Sequence, residues 1–178
     1  MFKTLKHKLI YRSSWQSFYE DAIEFPNSQQ GQYAFLERKN GAVAVVSDEK
    51  NNILLIKQYR YPIKANEWGI PGGGIDQNES AQQAVRREIK EETALEILSC
   101  EKLGSFFPLS SCSTEKVTLF WARVREFATL KSNQYDEVVV EYRVLSLKEA
   151  VKMVQRNEIT EALTCMAILL VNEKLKNV

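Results

Sequence analysis

Three glutamates within five residues form the part of the sequence best suited to chemistry. Glu88 and Glu92 are four residues apart and Glu91 follows Glu88 by three, so on a helix all three lie close together on one face. Like charges at this spacing repel each other by roughly a few tenths of a kcal/mol per pair. Such a group of carboxylate oxygens suits a hard divalent cation such as Mg²⁺, which usually bridges to substrate phosphates. For the cluster taken alone, a solvated helix end is the alternative.

The residues that precede the glutamates favour ligand binding. Residues 68–74 read WGIPGGG, and glycines allow the backbone to approach a ligand closely. Ser80 and Gln83 have the spacing of a capping box, which predicts that a helix begins at Ser80 and carries the glutamates. The start of that helix presents free N–H groups and the positive end of its dipole. Loop, helix and carboxylates together predict one functional segment.

The elements that must position this segment are both strands and helices. Alternating, β-branched or aromatic stretches predict strands at residues 15–25, 32–37, 42–46, 53–59, 116–124 and 138–145. Helices are predicted from Ser80, over about 147–155 and over about 160–175. The order shows no βαβ alternation, so we predict an α+β fold or a mixed sheet with helices on its faces.

Composition excludes several classes of function. The 24 lysines and arginines balance 23 aspartates and glutamates, so no overall charge attracts nucleic acid or an anionic membrane. Cys100, Cys112 and Cys165, with the single His7, form no metal-binding pattern. A nucleophilic Cys112 would lack a nearby histidine to activate it. No signal peptide and no apolar run of about 20 residues is visible, which predicts a cytoplasmic protein.

The segment resembles the signature of the Nudix hydrolases, and eight of nine specified positions match. The matching residues are Gly73, Glu79, Arg87, Glu88, Ile89, Glu91, Glu92 and Leu95. The departure is Ala94, where the family has a glycine after the helix; alanine implies a different exit or a cost of roughly 1 kcal/mol. The resemblance implies that Arg87 pairs with glutamates to hold the helix in register and that Glu79 is mainly structural.

The resemblance also implies a fold, a cofactor and its ligands. The fold is a mixed sheet sandwiched between helices, with an N-terminal antiparallel strand extension over residues 1–40 and the hydrolase domain over 41–178. Glu88 and Glu92 would bind Mg²⁺ directly, with Mn²⁺ as a substitute. Glu91 would be a further ligand or a base, and the carbonyl of Gly72 would complete the site. The metal would neutralise a diphosphate and lower the pKa of bound water.

Outside the signature, the chain is similar to ADP-ribose and nucleotide-sugar pyrophosphatases of this superfamily. The similarity lies in residues 57–62 (KQYRYP), in the loop at 104–115 and in the pattern of Trp15, Tyr33 and Arg38. It implies that Trp15 and Tyr33 stack on the nucleobase, often across a homodimer with swapped N-terminal strands. The alternative for these two aromatics is packing in a core.

Arginines and one further carboxylate complete the predicted site. The resemblance implies that Arg38 and Arg60 reach the base or the phosphates; for Arg60, a surface salt bridge is the alternative. Relatives carry a glutamate before a late strand that orients or deprotonates the attacking water. Glu137 is our choice for that residue, with Asp136 as an alternative, and an exposed carboxylate at the start of a strand is equally compatible with the sequence.

Two departures weaken the assignment to ADP-ribose. Many of the ADP-ribose enzymes have a glutamate at the position of Gly69, and the subgroup usually has a second proline at the position of Ser110. The broader class, a nucleoside diphosphate linked to a sugar, is unaffected. We therefore predict Mg²⁺-dependent hydrolysis of nucleoside diphosphate sugars, with ADP-ribose first, to a nucleoside monophosphate and a sugar phosphate. The expected partners are this small-molecule substrate and a second copy of the chain, with no nucleic acid and no membrane.

Two alternatives to this function stay open. One is a hydrolase of nucleoside triphosphates or dinucleoside polyphosphates. The other is a non-catalytic Nudix domain that senses a nucleotide. The presence of Glu88, Glu91 and Glu92 argues against the second, because a silent domain has no need of three carboxylates that repel each other.

Overall fold

The computed structural model of this chain describes residues 1–128, 130 and 139–177. Its contacts divide into two units, each with its own sheet. The first unit comprises Met1–Asn40 and Phe107–Lys116, and the second comprises Gly41–Phe106 and the described residues from Val117 onwards.

Ten strands and three α-helices, with a 3₁₀ turn at Tyr61–Ile63, make up the described part of the chain. The strands are β1 Lys3–Arg12, β2 Gln16–Glu24, β3 Gln30–Arg38, β4 Gly41–Ser47, β5 Asn52–Arg60, β6 Ala65–Gly69, β7 Gly72–Gly74, β8 Ser99–Phe106, β9 Val117–Arg123 and β10 Val139–Ser146. The helices are α1 Ala81–Thr93, α2 Leu147–Gln155 and α3 Ala162–Lys176.

The first unit is built on an antiparallel sheet with the order β1-β2-β3. Alternate residues of β2 are buried, and the buried Tyr19 stacks with His7 of β1 and with Phe35 of β3. The segment 107–116 joins this unit through Leu36, whose N–H donates to the Cys112 carbonyl at 2.9 Å. Every residue of the edge strand β1 is exposed.

The second unit contains a seven-stranded mixed sheet with the central order β10-β5-β4-β9-β8. Strands β4 and β9 are parallel and the other pairs are antiparallel. Two short strands extend it, since β6 pairs with β5 and β7 pairs with β4.

Helices cover both faces of this sheet, so its central strands are apolar on both sides. Alternate residues of β4, β5 and β9 pack with Ala84, Val85 and Ile89 of α1 in one core cluster. The intervening residues pack on α2 and α3 in a second cluster that includes Leu147, Ala150, Met153, Ala167, Ile168 and Val171. The predicted α+β sheet between helices is confirmed. No helix in the described part of the chain has the length and apolar character needed to cross a bilayer.

The structure also contains strands that the sequence patterns did not predict. Strand β1 covers residues that our sequence prediction left unassigned, and no residue in it is buried. Strand β8 covers Ser99–Phe106, and residues 104–106, which we expected in a loop, are its end. Strands β6 and β7 are short and lie on both sides of Pro71 in the glycine segment.

Candidate active site

Helix α1 begins as predicted. The Ser80 hydroxyl accepts a hydrogen bond from the Gln83 N–H at 3.2 Å, and the Gln83 side chain accepts one from the Ser80 N–H at 2.9 Å. This capping box satisfies N–H groups that have no partner within the helix. Because Val85 and Ile89 of α1 are fully buried against the sheet, the rotation of the helix is fixed. Its acidic residues are fixed with it.

The helix ends at Ala94, which adopts the left-handed conformation with φ 60° and ψ 11°. Its N–H donates to the Lys90 carbonyl at 2.9 Å. For this alanine we expected either a different end to the helix or a conformational cost. The structure shows the second: Ala94 adopts the left-handed conformation that a glycine would adopt, and an alanine pays a cost for it.

Two glycines allow the loop to contact the helix carboxylates. Gly72 has φ +150°, and a Cβ there would lie 2.3 Å from the carbonyl oxygen of Ala42 in β4. A Cβ on Gly73 would lie 2.5 Å from Oε1 of Glu88. The backbone of Gly73 therefore lies directly against the Glu88 carboxylate, and a larger residue there would displace that carboxylate.

The Glu92 carboxylate is the most deeply buried of the three, with 1% of the residue exposed. Its Oε2 accepts a hydrogen bond from the Gly72 N–H at 2.9 Å, and its Oε1 accepts one from Nε2 of Gln58 at 3.3 Å. The Tyr142 hydroxyl donates to the Glu92 backbone carbonyl at 2.6 Å. Hydrogen-bond donors from strands of the sheet therefore hold both the side chain and the backbone carbonyl of Glu92.

Glu88 and Glu91 share a contact with one arginine. Nη1 of Arg87 lies 2.8 Å from Glu88 Oε1 and 3.2 Å from Glu91 Oε2. Glu88 is buried, whereas the Glu91 side chain is 43% exposed. Within the residues that the structure describes, no three acidic, histidine or cysteine side chains already meet in the arrangement of a metal site.

Arg87 also connects α1 to the glycine loop. It contacts Glu79 through two hydrogen bonds of 3.0 Å, and its Nη2 donates to the Gly74 carbonyl at 3.0 Å. The hydrogen bond from Arg87 lowers the pKa of Glu79 below its ordinary value. The pKa of Arg87 is raised, mainly by the hydrogen bond to Glu79. The implied pairing of Arg87 with glutamates is present, and it fixes the loop as well as the helix.

The first unit contains three residues that the sequence predicted to bind substrate. Trp15 is 76% exposed and lines a pocket of about 330 Å³ together with Arg38. Tyr33 is 42% exposed, and its hydroxyl donates to the Ser111 carbonyl at 2.6 Å. Arg38 forms an ion pair with Glu115 at 3.0 Å. Core packing, the alternative for the two aromatics, is wrong because both rings are exposed.

The remaining predicted residues lie elsewhere. Arg60, in the second unit, donates from Nη2 to Oε1 of Gln58 at 2.7 Å. Glu137 and its alternative Asp136 lie outside the described residues.

Sequence reasoning missed Gln58 and Tyr142, which both contact Glu92. The sequence did contain a signal for Gln58. It follows Leu54 and Ile56 at the same alternation of β5, and a polar residue is unexpected at such a core-facing position. Tyr142 lies in a strand with no comparable sign.

The match to a family model decides the family: the NUDIX domain matches residues 37–163. The chain belongs to the Nudix family. It is 26% identical over 167 residues to the ADP-ribose pyrophosphatase of Bacillus subtilis (strain 168), which covers 93% of this chain and 90% of that protein. It is 28% identical over 178 residues to the methanol dehydrogenase activator of Bacillus methanolicus, with 98% and 96% covered.

A solved structure supports the fold. The crystal structure of an ADP compounds hydrolase superposes with a TM-score of 0.84, covering 99% of this chain and 95% of that one. At 22% identity this likeness concerns the fold alone. The predicted Nudix fold and the predicted class, a Nudix-type pyrophosphohydrolase, are confirmed.

Proposed function

We propose that this Nudix enzyme hydrolyses the diphosphate bond of nucleoside diphosphate sugars in a Mg²⁺-dependent reaction, with ADP-ribose as the first candidate. The products are a nucleoside monophosphate and a sugar phosphate. The observation that carries the proposal is the pair of buried carboxylates, Glu88 and Glu92, held against the backbone of Gly72 and Gly73. Similarity to an ADP-ribose pyrophosphatase over nearly the whole chain supports the substrate class.

The residues at this site fit a hard divalent cation. The donors are carboxylate and carbonyl oxygens, which Mg²⁺ and Mn²⁺ prefer. Burying a carboxylate costs free energy unless the group is paired with a charge or binds a metal. Arg87 provides such a pairing for Glu88. We assign Glu88 and Glu92 as metal ligands, with Glu91 and the Gly72 carbonyl completing the set. When bound, the metal supplies charge neutralisation at the diphosphate and a lowered pKa of water.

The protein's own residues orient the substrate. The exposed rings of Trp15 and Tyr33 are available to stack on a nucleobase, an interaction that favours offset or edge contacts between aromatic groups. We assign Arg38 and Arg60 to the base or the phosphates, since a guanidinium can bind phosphate oxygens through two parallel hydrogen bonds. We keep Glu137 as the residue that orients or deprotonates the attacking water.

We further propose that the chain is a homodimer formed through its N-terminal strands. The support is β1, an edge strand of ten residues that are all exposed, because such an edge presents unpaired backbone groups to a second chain. Sedimentation of the full chain tests this, and a monomer at all concentrations would contradict it.

The deciding experiment is a substrate panel with and without Mg²⁺, run on the parent chain and on Glu92→Gln. We expect ADP-ribose or another nucleotide sugar to be cleaved only with the metal. Glu92→Gln should lower kcat by about three orders of magnitude, since metal catalysis contributes several kcal/mol. Glu96→Gln is the matched control, because its side chain is 83% exposed just beyond the same helix, and its kcat should equal that of the parent.

Other outcomes would point elsewhere. Triphosphates that yield pyrophosphate as the preferred reaction would replace the sugar substrate with the triphosphate class. Binding of ADP-ribose without metal-dependent turnover would favour a nucleotide-sensing domain. Near-parental turnover by Glu92→Gln would contradict the assignment of the metal ligands.

A further inference from the structure

We propose that Gln58 is a positioning residue that fixes the Glu92 carboxylate and the Arg60 guanidinium relative to each other. The inference rests on the proposed function, because it assigns Gln58 a role only through the metal ligand and the phosphate-binding arginine. Gln58 does not touch the substrate in this proposal.

The contacts form a chain of three side chains. Arg60 Nη2 lies 2.7 Å from Gln58 Oε1, and Gln58 Nε2 lies 3.3 Å from Glu92 Oε1. Gln58 is 3% exposed and Glu92 1%, so this connection is buried from Gln58 to Glu92, whereas Arg60 is half-buried. A hydrogen bond to a charged group is about twice as strong as a neutral one, and here both partners of the amide are charged.

An amide has the chemistry that this position needs. Arginine donates hydrogen bonds and accepts none, whereas an ionised carboxylate accepts and does not donate. The group between Arg60 and Glu92 must therefore present an acceptor on one side and a donor on the other. The amide of Gln58 does so, and this requirement also fixes which of its two terminal atoms is nitrogen.

The place of Gln58 in β5 argues against an incidental polar residue. Leu54 and Ile56, at the same alternation, are fully buried in the apolar cluster beneath α1. An unpartnered amide buried there would cost about 1–3 kcal/mol. The position carries a glutamine whose two ends both meet charged partners, which is what a positioning role requires.

The consequence for Glu92 is a fixed carboxylate plane. The Gly72 N–H holds Oε2 and the Gln58 amide holds Oε1, so each oxygen has a donor and rotation about the last side-chain bond is opposed. Partners of this kind orient a metal ligand, and their loss typically costs about 10–100-fold in metal affinity or activity. Removing Gln58 should therefore affect metal binding without touching a ligand.

A control substitution distinguishes the proposed positioning role of Gln58 from a contribution to stability alone. Trp121 Nε1 donates to the Ser47 hydroxyl at 2.7 Å, which is another buried hydrogen bond between side chains of the same unit. Ser47 is at the far end of β4 from Gly41–Val43, the residues that pair with the glycine loop. Ser47→Ala therefore reports what the loss of one buried hydrogen bond does to stability alone.

The test compares the parent, Gln58→Met and Ser47→Ala in three measurements: Mn²⁺ binding by calorimetry without substrate, kcat for ADP-ribose with Mg²⁺, and the melting temperature. Methionine keeps the length of the side chain and removes both hydrogen bonds. We expect Gln58→Met to weaken Mn²⁺ binding and to lower kcat, each by about tenfold or more. Ser47→Ala should change only the melting temperature. If Gln58→Met does not fold, Gln58→Asn replaces it, because the shorter amide cannot span both partners.

Parental Mn²⁺ affinity in Gln58→Met would overturn the inference, even if kcat fell. Losses in Gln58→Met that Ser47→Ala reproduces would also overturn it, since they would follow stability. In both cases the parent still hydrolyses its substrate, so the proposed function stands. A parent chain with neither Mn²⁺ binding nor metal-dependent turnover would overturn the proposed function and this inference together.

Discussion

Replacing Ala94 by glycine should make the protein more stable, although the change removes a methyl group. Ala94 ends α1 with φ 60°, a conformation that costs an L-residue about 1–2 kcal/mol relative to glycine. Two effects oppose the gain. Glycine gives the unfolded chain more conformational entropy, which lowers the free energy of unfolding by about 0.4–1 kcal/mol. Loss of the half-buried methyl costs a few tenths of a kcal/mol, because a fully buried carbon contributes about 0.8 kcal/mol. The expected net stabilisation is about 0.5 kcal/mol.

Urea unfolding measures this difference, and for a chain of this size the melting temperature should rise by about 1–2 °C. Ala65→Gly is the matched control, because Ala65 is exposed in β6 and is absent from the residues with positive φ. At that position glycine should destabilise by about 0.5–1 kcal/mol. The two substitutions are chemically identical, so opposite signs can arise only from backbone conformation. If Ala94→Gly destabilised the protein as much as Ala65→Gly does, the left-handed end of α1 would be refuted.

Two further predictions concern titratable groups. Since Arg87 lowers the pKa of Glu79, the ion pair stabilises the fold at neutral pH, and this contribution is lost as the pH falls below the ordinary value of 4.5. In urea unfolding, the free energies of the parent and of Glu79→Gln should therefore differ most at neutral pH and converge in acid. A difference that stays constant with pH would contradict this prediction. Burial raises the pKa of the Cys100 and Cys165 thiols, whereas Cys112 is exposed. A thiol reagent should therefore label Cys112 first, which peptide mass spectrometry measures. Faster labelling of Cys165 would contradict this order.

Much of the second unit could be predicted from local pattern. The capping box at Ser80 and the apolar spacing that follows it placed the start of α1 to within a residue, because both depend on neighbours three and four positions apart. Strands β4 and β5 were predicted because they are buried on both faces and read as apolar runs. Strand β1 was not predicted; all ten of its residues are exposed, and its place in the sheet depends on backbone pairing with β2.

The candidate site divides in the same way. The carboxylates that lie on α1 could be identified from local pattern, because their spacing and the helix period are both local properties. Local pattern left open how the helix ends, and the hydrogen bond from Ala94 to the Lys90 carbonyl decides that. It also left open whether Trp15 and Tyr33 are buried, which depends on what packs against each face of their sheet.

Only the tertiary structure brought Glu92 to its partners. Gly72 and Gln58 precede it by 20 and 34 residues, and they reach it because β5 and the glycine loop pack beside α1. A side chain's donors across such a separation are set by how strands and helix pack, which no periodicity along the chain records. Residue spacing was enough to identify the carboxylates, and the packing of the sheet against α1 determined how two of them are buried and held.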